Sequence, residues 1–504
     1  MVKNVLVIGL DGVPFKLINV WKNRIPIFRK IFSRCVYAIF KSTIPSQTSI
    51  ALPSLFTGKN PGKTGVFDFV DDFENLVRID SIKHPKLWDI LDSYNIKSLF
   101  YNTRIIYPLP KTNNCVFIDS GLFSRITLCE PKKYAKYLGN FPKECELIEL
   151  KLKKGASQEE IANKVIEFIE CKYDIFKNII LEENFEFILY WIGETDILHH
   201  YCWDNDNLIL KAYSKIWSLV NKIIEDFEDW NIFIVSDHGA ERRPSVNFYI
   251  DKWLASKGYL KMKTNMYIFS VLYLIARKVL PFEIRNRLVK RNRKDRKEYS
   301  KNTNMKRFHG IDYEKSMAYY SRNWGISINR ELVGSEYEKL RQKLISDLKS
   351  LEYKGKKVFR EVLKREEIYN GEYISKVPDI VLRASEDFQL KPGPSFKIFG
   401  KSEKDRYGYV GSHNWARDGI FIAFGPDIKD DGKFIGEIQI YDLMPTILHV
   451  YGIPIPDDVD GRVLTEIFSE RSEIHQRKPL YTKISREKTI ISAKIKELKR
   501  LGKI

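Results

Sequence analysis

Eight histidines occur in the chain, and three of them stand where their neighbours suit metal chemistry. In Asp196-Ile-Leu-His-His200 a carboxylate and an imidazole are four residues apart, which on a helical turn puts them on one face. Asp237-His238 follows the apolar run Ile232–Val235 and precedes Gly239, the pattern of a tight turn at a strand end. His413 lies in the polar stretch Gly411-Ser-His-Asn-Trp415, just ahead of a further apolar run, Gly419–Phe424. Imidazole nitrogen and carboxylate oxygen together suit zinc or manganese better than magnesium or calcium. Alone, each pair reads as a capping or surface pair. Placed jointly at strand ends, they read as ligands.

A second segment, Ser42-Thr-Ile-Pro-Ser-Gln-Thr48 continuing to Thr57-Gly58 and Gly65, supplies hydroxyls. A hydroxyl in the first turn of a helix meets free N–H groups and the positive end of the helix dipole, a setting that binds phosphate. A threonine nucleophile needs activation, which direct metal coordination supplies. Without the metal residues, Thr48 would read as an N-cap and nothing more.

The elements that must position these groups follow from short apolar runs that end abruptly in polar residues, as buried parallel strands do. They are Val5–Leu10 before Asp11, Phe185–Ile192 before Asp196, Ile232–Val235 before Asp237, and Gly419–Phe424 before Gly425-Pro426. Helical periodicity over Lys86–Ser93, Gln158–Glu170 and Leu208–Asp226 alternates with them. The pattern predicts an α/β fold: a mostly parallel central sheet with helices on both faces. Its site forms at the carboxyl ends of the strands.

Residues 1–241 read as the first part of a catalytic core and 406–470 as its completion. Between them, 242–405 read as an inserted cap with additional strands, and 471–504 as a basic helical tail. The cap holds strand-like runs at Met317–Ser321, Ile326–Asn329 and Val377–Arg383 and a charged helix at Glu336–Leu351. It also holds an aromatic helical run, Met266–Val279, and a basic segment from Arg285 to Arg307.

These motifs resemble the type I phosphodiesterase/nucleotide pyrophosphatase branch of the alkaline phosphatase superfamily. The matching segments are Val5-Leu-Val-Ile-Gly-Leu-Asp11-Gly, Thr48 through Gly65 with Val-Phe-Asp-Phe, and Glu194-Thr-Asp196-Ile-Leu-His-His200. Ser236-Asp237-His238-Gly239, Gly411-Ser-His413, Gly419–Pro426 and Tyr441–Gly452 complete an ordered set. The resemblance implies an alkaline phosphatase-like fold and two divalent metal ions, zinc or manganese. Asp196, His200 and His413 would hold one ion; Asp11, Asp237 and His238 would hold the other. Thr48 would face both as nucleophile and carry a phosphothreonine intermediate. The family's nine-residue interval before the Thr-Gly turn selects Thr48 over Thr43, since Thr57 closes that turn here.

The chain departs from the family pattern at two places. Ile50 stands where many relatives carry proline, with Pro53 further on. Phe69 stands where nucleotide pyrophosphatases place a phosphoryl-binding asparagine. The expected activity is hydrolysis of a phosphodiester or pyrophosphate. A phosphomonoesterase or a phosphotransferase or mutase of the same superfamily is the alternative, and a noncatalytic basic binder of membrane or nucleic acid is the alternative from another class. His199 reads as a partly exposed helix residue and His449 as a core histidine, whereas His84, His309 and His475 carry no usable pattern.

Composition agrees with a folded enzyme of several domains: 504 residues, 44% apolar and 13% aromatic. Lys+Arg outnumber Asp+Glu by 84 to 65, a formal charge of +19 that favours anionic partners. The expected partner is a phosphorylated small-molecule or lipid-linked substrate, with no specific nucleic acid; the basic cap reads first as a core-packed helix followed by a solvated loop, with peripheral contact to an anionic membrane as the alternative. The six scattered cysteines form no C-x-x-C pair and read as reduced thiols. Without a signal-like leader or a long apolar run, the expectation is a cytoplasmic protein, with a peripheral place at the inner membrane face as the alternative.

Overall fold

The computed structural model describes residues 3–70, 77–104, 106–120, 126–139, 141–263, 311–321, 324–393, 395–402, 408–413 and 415–483. The runs Met266–Val279, Arg285–Arg307 and Ser485–Ile504, and His309, lie outside the described residues. Two compact units divide the chain. One comprises Met1–Phe69, Val77–Arg242 and Lys404–Ile504; the other comprises Val70–Leu76 and Arg243–Glu403.

The first unit is built on a nine-stranded sheet. Its first seven strands in chain order are β1 (Val5–Leu10), β2 (Val36–Lys41), β3 (Ser98–Tyr101), β4 (Cys115–Asp119), β5 (Leu128–Glu130), β6 (Phe187–Ile192) and β7 (Asn231–Val235). Across the sheet the order is Phe434–Gln439, β2, Asp418–Phe424, β7, β1, β6, β3, β4, β5. The central neighbours β7, β1, β6, β3 and β4 are all parallel. All six residues of β1 are buried, as a strand covered on both faces requires.

Side chains alternate across a strand, so β1 feeds two separate cores. Leu6, Ile8 and Leu10 join the core packed by the helices Lys16–Arg24, Gln158–Ile180 and Asp206–Asp226. Val5 and Val7 join the opposite core, with the helices Thr48–Thr57, Leu87–Ser93 and Leu443–Val450. Helices thus cover both faces, as the alternating pattern predicts.

One strand differs from the sequence reading. Asp418–Phe424 is antiparallel to both its neighbours, β2 and β7, although its apolar run looks like the parallel ones. A fully buried strand is apolar whichever way it runs, so composition does not carry its direction. Direction matters here, because the start of this strand, not its end, lies beside the carboxyl end of β7.

In the second unit, an antiparallel sheet runs Ala318–Ser321, Gly325–Ile328, Ile380–Ala384, Phe359–Lys364. The helix Tyr337–Lys349 buries Arg341, Leu344, Ile345 and Leu348. A three-stranded sheet of Phe388–Lys391, Val246–Tyr249 and Phe399–Lys401 completes it. Among the described residues no helix is long and apolar enough to cross a membrane, and all six cysteines are free thiols.

Candidate metal centre

Every sequence-predicted site residue lies at the same end of the sheet. Asp11 follows β1, and its amide is held by the Ile192 carbonyl at the end of β6. Gly12 then turns with φ +70°, and its N–H donates to Asp237 Oδ1 at 3.2 Å. A side chain there would meet Asp196 Oδ1 at 3.1 Å and the His238 ring at 3.2 Å, so the turn must be glycine. After β6, the helix Glu194–Cys202 presents Asp196 and His200 one turn apart, with His200 Nε2 3.4 Å from Asp196 Oδ2. After β7 come Asp237 and His238, both fully buried. His413 arrives from the start of the antiparallel strand, through a short pairing of Gly411–Ser412 with Glu241–Arg242.

Ligand atoms of Asp11, Asp237 and His238 lie within 4.8 Å of one another, and so do those of Asp196, His238 and His413. His238 therefore belongs to both groups. Its ring stacks on His413 with centroids 4.3 Å apart, and His200 sits 5.2 Å from His413.

The three imidazoles share one orientation. Each Nδ1 faces a backbone carbonyl: Gly411 for His200 at 3.4 Å, Gly239 for His238 at 2.9 Å, and Ser46 for His413 at 3.0 Å. A carbonyl only accepts, so each Nδ1 carries a proton, and the lone pair of the neutral ring is then on Nε2.

Thr48 opens the helix Thr48–Thr57, all of whose residues are buried, after Gln47 in extended conformation. Its Oγ1 lies 3.1 Å from His238 Nε2 and donates to that lone pair. Thr43, the alternative considered from sequence, donates its hydroxyl to the Pro45 carbonyl at 2.7 Å and makes no such contact.

Charge in this region is unbalanced. Arg104 pairs with Glu144, and Lys172 with Glu194 at 2.6 Å, with all four side chains no more than 2% exposed. Those pairs compensate the two glutamates. Arg104 also pairs with Asp11, so with Asp196 and Asp237 five carboxyl groups among the described residues face these two cations. Asp11 Oδ1 and Asp237 Oδ2 are buried without a hydrogen-bond partner, a costly state for a carboxylate. Burial, reinforced by Asp11, pushes the Asp237 carboxyl up to about 7. Burial pushes His413 down to about 3, with His238 adding to the effect. On His200 and His238 burial is outweighed by the aspartates beside them, and both are pushed up. Divalent cations between these groups would satisfy the orphan oxygens and remove the conflict. The donor set fits such ions.

Sequence reasoning misplaced His199 and missed several partners. His199 is 2% exposed, not partly exposed, because Tyr213 from the following helix takes its Nε2 at 2.7 Å. Trp21 packs on Tyr213 at 4.3 Å and fixes it there. Arg104 and Trp191 both donate to Asp11 Oδ2, the latter at 3.0 Å. The signal for Arg104 was available, since Asn102-Thr-Arg104 is one more polar stretch ending an apolar strand. His449 is a core histidine as expected, its Nε2 donating to the Ile474 carbonyl at 2.9 Å.

The model of the type I phosphodiesterase / nucleotide pyrophosphatase family matches residues 5–416. The chain belongs to this family. It is accordingly a hydrolase of the phosphodiesterase and pyrophosphatase type. Murine ectonucleotide pyrophosphatase / phosphodiesterase 5 is similar in structure, with a TM-score of 0.51 at 13% identity over 93% of this chain and all of that one. The murine protein in an inactive threonine-to-alanine form, in complex with AMP, gives the same values. The human protein gives 0.50 at 13% identity with the same coverage. At that identity the likeness concerns the fold, which is alkaline phosphatase-like. No curated protein matches the chain. Within the family, Phe69 has no polar side-chain atom with which to bind a phosphoryl oxygen.

Proposed function

We propose that the chain hydrolyses phosphodiester or pyrophosphate bonds in two displacements, with Thr48 as nucleophile and two divalent cations, zinc or manganese, as cofactors. Asp196, His200 and His413 would hold one ion and Asp11, Asp237 and His238 the other. The observation that carries this reading is the contact of Thr48 Oγ1 with His238 Nε2, the residue shared by the groups Asp11/Asp237/His238 and Asp196/His238/His413, with His200 Nε2 3.4 Å from Asp196. When bound, the cations would supply positive charge to the phosphoryl oxygens and to the threonine oxygen.

The chain's own residues do the rest. The start of the helix Thr48–Thr57 aims its dipole at the incoming phosphoryl group and keeps Thr48 dry. Thr48 Oγ1 attacks phosphorus as its proton passes to solvent; the bond from phosphorus to the leaving oxygen breaks, and that oxygen departs with the bonding pair and takes up a proton from water. Water then attacks the phosphothreonine, and the Thr48 hydroxyl is restored. Arg104 and Lys172 are both committed to glutamates. With both of these buried cations engaged, a diester, which carries one negative charge fewer than a monoester, is the substrate to test first. The inactive murine relative, altered from threonine to alanine, supports a threonine nucleophile, and its AMP supports nucleotides as a substrate class to test.

The test is turnover of bis(p-nitrophenyl) phosphate against p-nitrophenyl phosphate with zinc or manganese supplied. Preference for the diester, lost on chelation and regained with metal, is the expected result. Turnover unaffected by chelators would overturn the reading.

A further inference from the structure

Asp11 is held unequally. Its Oδ2 receives both Arg104 Nη1 and Trp191 Nε1, while Oδ1 has no partner and lies 3.6 Å from His238 Nε2. Two donors converging on one oxygen fix the carboxylate's rotation, so that a single oxygen faces the centre. Arg104 makes this contact from a left-handed backbone, φ +69°, that a non-glycine residue adopts only when its surroundings enforce it. Asp119 enforces it, accepting the Arg104 amide at 2.9 Å and the Ile106 amide at 3.3 Å.

An arginine beside a ligand carboxylate has a drawback, since its charge repels the cation that the carboxylate must hold. The other end of the guanidinium meets Glu144, which starts a separate helix, Glu144–Lys154. Gly193 leaves room for this pair: a Cβ there would lie 2.4 Å from Glu144 Oε1 and 2.7 Å from Arg104 Cδ. Glu144 is 2% exposed and touches no other residue of the centre through a hydrogen bond among the described residues.

Building on the two-metal reading above, we infer that Arg104 and Glu144 form a charge-neutral clamp on Asp11. Arg104 positions the carboxylate, and Glu144 cancels the charge that would otherwise expel the cation. Both are positioning residues. Glu144, without touching a metal, sets the affinity of the Asp11 position.

The test is zinc affinity of the purified full-length chain, by chelator competition at alkaline pH, where the carboxylates are ionised. Glu144→Gln keeps an acceptor for Arg104 but leaves the arginine charge uncancelled. One of the two zinc positions should weaken by about tenfold to a hundredfold, as when groups behind metal ligands are altered, while the other holds. The double variant Arg104→Met with Glu144→Gln removes both charges of the clamp together and leaves Asp11 Oδ2 held by Trp191 alone. It should regain zinc affinity but lose kcat with KM little changed, since Asp11 can then rotate. Unchanged affinity in Glu144→Gln, or equal weakening of both positions with a fall in Tm, would overturn the clamp. A wild-type chain that binds no zinc at all would overturn the two-metal reading itself, and the clamp with it.

Discussion

Thr48 Oγ1 and His238 Nε2 lie 3.1 Å apart, with the threonine as donor, because His238 Nδ1 is already tied to the Gly239 carbonyl. A hydroxyl and a cation thus compete for one lone pair. A cation on Nε2 would remove the acceptor of Thr48 and leave its oxygen facing positive charge.

Thr48→Ala should abolish turnover, by orders of magnitude, while metal content and Tm stay near wild type. Thr43→Ala should cost at most about 1 kcal/mol of stability, the net worth of its hydrogen bond to Pro45, with activity largely kept. Thr48→Ser should retain part of the rate. Inactivation by Thr43→Ala instead would move the nucleophile five residues.

For the cations, elemental analysis of purified protein should find close to two zinc or manganese ions per chain. His413→Ala should lose one of them and most of the activity. Full metal content in His413→Ala would remove this residue from the ligand set.

Tyr213→Phe deletes the partner of His199 Nε2 in a fully buried place. Stability to urea should drop by about 1–3 kcal/mol, the cost of an unsatisfied buried group, with zinc stoichiometry unchanged. Loss of zinc in that variant would make the pair part of the metal centre.

Asp427 tests acid stability away from the site. Burial raises its pKa, but Asn231, Ser472 and Lys3 outweigh that and lower it overall, with donors at 2.9, 2.6 and 2.9 Å. A depressed folded pKa means that the contribution is present above the ordinary carboxylate range and lost as pH falls through the folded value. Asp427→Asn should therefore lower Tm at neutral pH, and the gap from wild type should close toward low pH. A gap independent of pH would contradict the sign.

Much of the centre was legible because parallel strands advertise their ends. Val5–Leu10, Phe187–Ile192 and Ile232–Val235 are apolar runs, and each leads into residues that place Asp11, Asp196 or Asp237. Less was legible where the informative quantity is direction or a distant neighbour. The sense of Asp418–Phe424 depends on its pairing with β2 and β7, and its apolar run is the same either way. The burial of His199 depends on Tyr213, and Glu144 is one acid among several in a charged helix.

The strand Asp418–Phe424 has a consequence in the order of synthesis. It lies between β2 and β7, so β2, the strand that leads to Thr48, joins the rest of the sheet only through it. The same strand begins just after His413. The strand that leads to Thr48 and the imidazole of His413 are therefore both seated by a segment that follows the whole second unit in the chain. Asp11, Thr48, Asp196, His200, Asp237 and His238 all precede that segment in the sequence. Closure of the sheet and arrival of the last imidazole thus depend on one late stretch of chain.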